Sequence, residues 1–198
     1  GGDISPNLGP LAVSGQGMRG VMIEQRKGPW DWSLLGGRTI ASQAGTAAAN
    51  GRYARSLYSG KLGLAPGGRV KMNVNYFLSS DEVGSLSPDP KSSNFRGPSL
   101  VAQKNSGYGF DLGWEPVSKL KFLGAFQKNK YWADLGGRPK EDTAIRAEFS
   151  VERKIFKFRA YLQRAGAQFV AFGNPGIAGD RLTYDGQIGV FPTSNYSL

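Results

Sequence analysis

The chain has 198 residues, 29 of them glycine, with 25 basic and 15 acidic residues and a formal charge of +10. It contains no cysteine and no histidine, which excludes a disulfide framework, thiol chemistry and the commonest general base and metal ligand. No run reaches the roughly 18 apolar residues of a membrane-spanning helix, and the opening GGDISPNLGP lacks the pattern of a secretory signal.

Residues 1–18 read as an N-terminal extension. GQGMRG at 15–20 matches the dinucleotide pattern G-x-G-x-x-G, but that fingerprint needs a helix after it. VMIEQR follows and reads as a strand, so a glycine-rich turn is expected there. Hairpins then succeed one another. Residues 19–26 lead through KGP to 30–38, and 55–65 lead through PGG to 69–78. Residues 107–115 lead to 119–131, with Pro116 expected to stop the ladder because it has no N–H to donate. Residues 143–152 lead through Arg153 and Lys154 to 155–164, and a ninth strand, 182–191, precedes PTSNYSL at 192–198. Between the hairpins, 39–54, 79–106, 133–142 and 165–181 are rich in Gly, Ser, Ala, Asn and Pro and read as polar loops. AGTAAAN, at 44–50, is long enough for one helical turn. The fold expected over 19–191 is therefore all-β, an antiparallel up-and-down meander of about nine strands.

The period of two sorts each strand into an apolar and a polar parity. Val70, Met72, Val74, Tyr76 and Leu78 oppose Arg69, Lys71, Asn73 and Asn75, while Tyr108, Phe110, Leu112 and Trp114 oppose Gly109, Asp111, Gly113 and Glu115. Trp30, Trp114 and Phe156 sit beside the short turns on the apolar parity; Tyr58, Tyr76, Tyr108 and Tyr184 share that parity elsewhere, with Tyr108 and Tyr131 toward the long-loop ends. Two aromatic rims around an apolar band suit the interfaces of a membrane. Strands of about 9–11 residues, with tight turns on one side and long loops on the other, suit a transmembrane β-barrel or part of one. In that reading Arg69, Lys71, Lys119, Lys121, Arg146, Lys157, Arg159, Asp111, Glu115 and Glu148 line a pore, where water and opposite charges tolerate them. The basic i, i+2 pairs make an electropositive stripe near the short turns and predict some preference for anionic solutes. A soluble β-sandwich shows the same alternation and remains the alternative.

Catalysis is not expected. Serine has no histidine to activate it, and pairs such as Asp111 with Glu115 or Glu148 with Glu152 lie about 13 Å apart along a strand, too far to share a proton. Asp81, Glu82 and Asp89, like Asp134, Glu141 and Asp142, lack the spacing of a calcium loop. Nucleic acid is not expected either, because the aromatics that would stack bases lie on the parity opposite to the cations. No cofactor and no metal is implied.

In hairpin rhythm and aromatic rims, RGVMIEQRKGPWDWSLLGGR and GYGFDLGWEPVSKLKFLGAF resemble segments of bacterial outer-membrane β-barrels in the porin and export-channel style. The resemblance is architectural and brings no catalytic motif. It implies an outer-membrane location, a lipid environment and a passive passage for solutes or an exported polymer. An anchor that assembles with envelope partners through the 79–106 loop is a second reading, and a soluble adhesin or carbohydrate-binding module a third. Nine strands is odd where bacterial barrels are generally even. Either LGPLAVSG supplies a tenth strand or further barrel strands come from elsewhere in this polypeptide or another subunit. The latter is expected, since a strand at LGPLAVSG breaks the alternation of short and long connections. The sequon at Asn195 carries no expected role in a bacterial envelope.

Overall fold

A computed structural model of the chain describes residues 2–44, 51–86 and 100–191. Most of AGTAAAN, Asp89, Asn195 and the 192–198 segment lie outside the described residues. Ten antiparallel strands form one sheet in sequence order: β1 (Gly2–Ile4), β2 (Met18–Lys27), β3 (Trp30–Ile40), β4 (Ala54–Leu64), β5 (Val70–Glu82), β6 (Lys104–Val117), β7 (Leu120–Trp132), β8 (Lys140–Glu152), β9 (Phe156–Ala165) and β10 (Arg181–Val190). No helix among the described residues is long and apolar enough to cross a membrane.

All nine expected strands are present, and the tenth is not where the sequence offered one. It is the three-residue β1, paired with Met18–Gly20. LGPLAVSG forms no strand. Its residues turn inward and Leu8, Leu11, Ala12 and Val13 are buried. The strand β6 also outruns expectation: it continues past Pro116 to Val117, but its register with β7 breaks between Trp114 and Val117. The missing N–H of Pro116 thus interrupts the ladder without ending the strand. The hairpin closes at Lys119, whose φ of 70° supplies the left-handed residue of a tight turn.

Residues opposite one another in an antiparallel ladder share a face. One rung runs Asp31–Gly63–Asn73–Asp111–Ala125–Arg146–Gln163–Thr183 across eight strands. The neighbouring parity carries Leu62–Val74–Phe110–Phe126–Ile145. The sheet accordingly has one polar and one apolar face, and the apolar face is the exposed one. Val74 is 55% exposed and Phe110, opposite it, is 53% exposed, whereas Asp111, next after Phe110 on the other face, is 7% exposed. Tyr131 breaks with expectation. It stands opposite Asn105 on the polar face, not at the apolar rim with Tyr108.

Several polar side chains lie flat across glycines of the next strand. Gln127, fully buried, crosses Gly109 on β6. A Cβ at Gly109 would overlap both the Gln127 side chain and the backbone carbonyl of Phe126. Backbone cannot swing aside as a side-chain end can, so Gly109→Val is expected to cost about 1–3 kcal/mol, as overpacking does. A urea midpoint in detergent unchanged by the substitution would contradict this packing.

Candidate passage and the segments that fill it

The polar face divides into two halves. Toward the long loops, its wall is built from Leu35, Leu57 and Phe77 on β3–β5 and from Ala125, Ala144 and Ala165 on β7–β9. Two chain segments cover that wall. Leu8 and Val13 pack with Met18, Leu35, Leu57 and Phe77. Leu11 packs with Phe169, Ala171 and Ile177 of the β9–β10 connection over the three alanines. Small residues on the wall leave the room that the segments occupy. The 165–181 connection, expected as a polar loop, therefore carries a hydrophobic core instead.

Polar contacts hold these two segments in place. Asn105 and Asn129 each donate to the Val170 carbonyl, at 3.0 and 2.7 Å, and Asn105 Oδ1 accepts the Phe172 N–H at 3.1 Å. Asp142 accepts the Gln168 N–H at 2.7 Å. The two segments also join each other: Ser14 N–H donates to Gly173 O at 2.9 Å and Asn174 Nδ2 to Pro10 O at 3.0 Å. Phe172 is gripped between the Arg55 guanidinium, 3.7 Å above its ring, and the Tyr131 ring, edge-on at 5.7 Å. Arg55 is held in turn by Asp81 at 2.7 Å and by Gln103 at 3.1 Å. Buried amide side chains that donate to the backbone of these segments satisfy the Val170 and Pro10 carbonyls, which would otherwise be desolvated without a partner.

Toward the short turns the polar face is open. A hollow of about 460 Å³ is bordered by Lys119, Lys121, Ser150, Glu152, Lys157 and Arg159. A second, of about 260 Å³, is bordered by Arg69, Lys71, Glu115, Lys121 and Glu148. Eight of the ten residues expected to line a pore thus border these two hollows. Asp111 is instead buried and accepts from Asn73. Arg146 lies against the Tyr161 ring at 4.1 Å and bonds Gln163 and Glu148.

The cations here are mostly answered by carboxylates. Lys71 meets Asp31 at 2.7 Å, Lys157 meets Glu152 at 2.7 Å, and Glu148 takes both Arg146 at 2.8 Å and Arg159 at 2.6 Å. Lys121 stays 4.0 Å from Glu115 and is largely exposed, so that contact is worth little. The pairing tempers the field expected from the basic stripe, but six cations still face three carboxylates around the two hollows.

No family model, no curated protein and no solved structure matches this chain. Its chemistry is therefore read from its own residues. Among the described residues no three potential metal ligands gather. The loop carboxylates have other partners: Asp81 holds Arg55, Glu82 accepts from Ser56 and from Arg38 at 2.6 Å, Asp134 accepts the Gly136 N–H at 3.0 Å, and Glu141 bridges Lys128 and Lys130. The i, i+4 carboxylates likewise have separate partners: Asp111 accepts from the Asn73 amide, Glu115 from the Lys119 N–H, Glu148 from Arg146 and Arg159, and Glu152 meets Lys157. GQGMRG runs from a loop into β2, with no helix after it.

On the apolar face Trp30, Trp114, Tyr58, Tyr76, Tyr108 and Tyr184 are all exposed, and Phe156, half-buried, lies opposite Val190 at the short-turn end. The contacts of Arg55, Asn105 and Asn129 with the 168–174 segment, and of Phe172 with Arg55, carry no signal in the strands themselves. The available signal was the apolar content of LGPLAV and FVAF, too high for solvated connections.

Proposed function

We propose that the chain forms wall of a non-enzymatic β-barrel in the bacterial outer membrane, serving a passive passage for solutes or an exported polymer. The observation that carries this reading is the inverted sidedness of the sheet: large apolar side chains are exposed on one face while polar ones are covered on the other. Water as the only solvent would drive the opposite arrangement. Lipid accommodates it, and ten residues at about 3.3 Å each, tilted by roughly 40°, span the approximately 25 Å apolar band of such a barrel. Strands β2 to β10 have 10–14 residues, enough to cross. A soluble sandwich requires a second layer over the apolar face, and none lies there among the described residues.

An open sheet edge in lipid leaves backbone N–H and C=O groups unpaired at several kcal/mol each. Among the described residues β10 pairs only with β9, and β1 covers only Met18–Gly20 of β2. Further strands, from this polypeptide or a partner subunit, complete the wall in this reading. The two segments that cover the polar face, a plug in this reading, favour a second function as well, an anchor for envelope partners that conducts little at rest.

The test is conductance of the protein reconstituted in a planar bilayer under a salt gradient. Discrete steps with a reversal potential of anion-preferring sign are expected. Charge reversal at Lys71, Lys119, Lys121, Lys157 and Arg159 to Glu should weaken or invert that sign; unchanged selectivity would remove these residues from the path. Verified insertion without steps would favour the anchor.

A further inference from the structure

Along β6–β9 the apolar face changes character at one rim only. At their short-turn ends, β6–β9 present Trp114, Leu120, Phe122, Val151 and Phe156 outward, with no charge among them. At their long-loop ends the same face carries Lys104, Lys128, Lys130 and Arg164, against the single carboxylate Glu141. Both lysines of β7 reach that carboxylate, at 2.9 and 2.8 Å. Lys104 lies 5.1 Å over the Trp132 ring. Arg164 is exposed and has no acidic partner among the described residues.

We propose that this basic rim docks the phosphate groups of lipid headgroups in the leaflet on the long-loop side. The proposal rests on the membrane reading above. The four cations share their face with Phe110, Phe126, Ile145 and Leu162, the side chains that meet acyl chains in that reading. A solute moving through the passage would not meet them, but a headgroup at the interface would. Long basic side chains lay their stems along apolar surface and lift their charges to the water boundary. With neighbouring strands about 4.8 Å apart, the four heads span adjacent headgroups. Phosphate oxygens accept several charged N–H donors at once, and the fork of Arg164 suits two of them. The opposite rim of β6–β9 carries no charge, and across the short-turn ends of the described strands this face holds the lone Lys27, so the denser basic rim also orients the sheet in an asymmetric bilayer.

The experiment inserts the full chain in phosphatidylcholine nanodiscs doped with phosphatidic acid, a phosphate-monoester lipid. The phosphatidic acid retained with the protein is then measured by native mass spectrometry. The unaltered chain is expected to enrich it over phosphatidylcholine. K128Q/K130Q/R164Q should lose that enrichment, by roughly fivefold for each cation removed. K119Q/K121Q/K157Q removes the same charge from the polar face and should retain it. Equal retention of both lipids by the unaltered chain, or equal loss in both triple variants, would overturn the proposal while leaving the membrane reading intact. Stripping of the lipid by millimolar inorganic phosphate would assign the cations to a free anion and overturn it also. Failure to insert into either bilayer would overturn the membrane reading and this proposal with it.

Discussion

Excising residues 168–178 is expected to raise the conductance of the chain. The flanks are suited to the operation, because Asp180 N–H already bonds Gly166 O at 2.8 Å and a short Gly-Ser linker can close that gap. The excision removes Phe169, Ala171 and Ile177 from the alanine wall of β7–β9 and withdraws Phe172 from between Arg55 and Tyr131. It also deletes Gly173 and Asn174, the two residues that tie the N-terminal segment to its neighbour. The excision uncovers Asn105, Asn129 and Asp142, polar groups that water satisfies without strain, while Leu8 and Val13 still cover the β3–β5 part of the wall. A severalfold rise in unit conductance is expected in the planar bilayer, with the strand content of the chain preserved by circular dichroism. Phe172→Ala, which loosens the same segment without removing it, should give a smaller rise or flickering steps. Equal conductance of the intact and excised chains would place the plug outside the path of the ions.

Phe77→Ala is expected to destabilise the chain by about 3–5 kcal/mol, the range for truncating a well-packed aromatic. Phe77 is fully buried against Leu8, Val13, Met18, Leu35 and Leu57, and β4 and β6 hold it from either side. Its neighbour Tyr76 is 54% exposed on the other face. Tyr76→Ala gives up contacts with surrounding amphiphile and leaves no cavity, so its cost should be well below that of Phe77→Ala. Urea unfolding in micelles, followed by tryptophan fluorescence, separates the two. Equal costs would mean that the N-terminal segment does not pack on the sheet.

Phe77 also illustrates where reading the sequence stops. It falls on the polar parity of β5, as Leu35 and Leu57 do on β3 and β4, and each breaks the alternation of its own strand. From the strand alone such a residue is an imperfection in a period-two pattern. Only the arrival of Leu8 and Val13, some 70 residues away for Phe77, makes it a core. The same holds for Tyr131, whose parity was legible but whose partner, Phe172, comes from a connection that looked polar. The charges expected to line a pore needed less. Eight of the ten border the open hollows, because a side chain's face follows from its place in the strand and needs no distant partner.

The sequence by itself determined the antiparallel meander, the positions of the short turns and the face to which each strand residue belongs. These follow from alternation and turn chemistry, which act over a few neighbouring residues. Only the tertiary structure decided that Gly2–Ile4 adds a strand, that LGPLAVSG and the β9–β10 connection fold back across the polar face, and that Asn105, Asn129 and Arg55 clamp them there. Those outcomes depend on apolar segments and buried carbonyls finding partners far away in the chain. The closure entropy of a long loop grows slowly with its length, so such distant pairings are affordable yet leave no local trace.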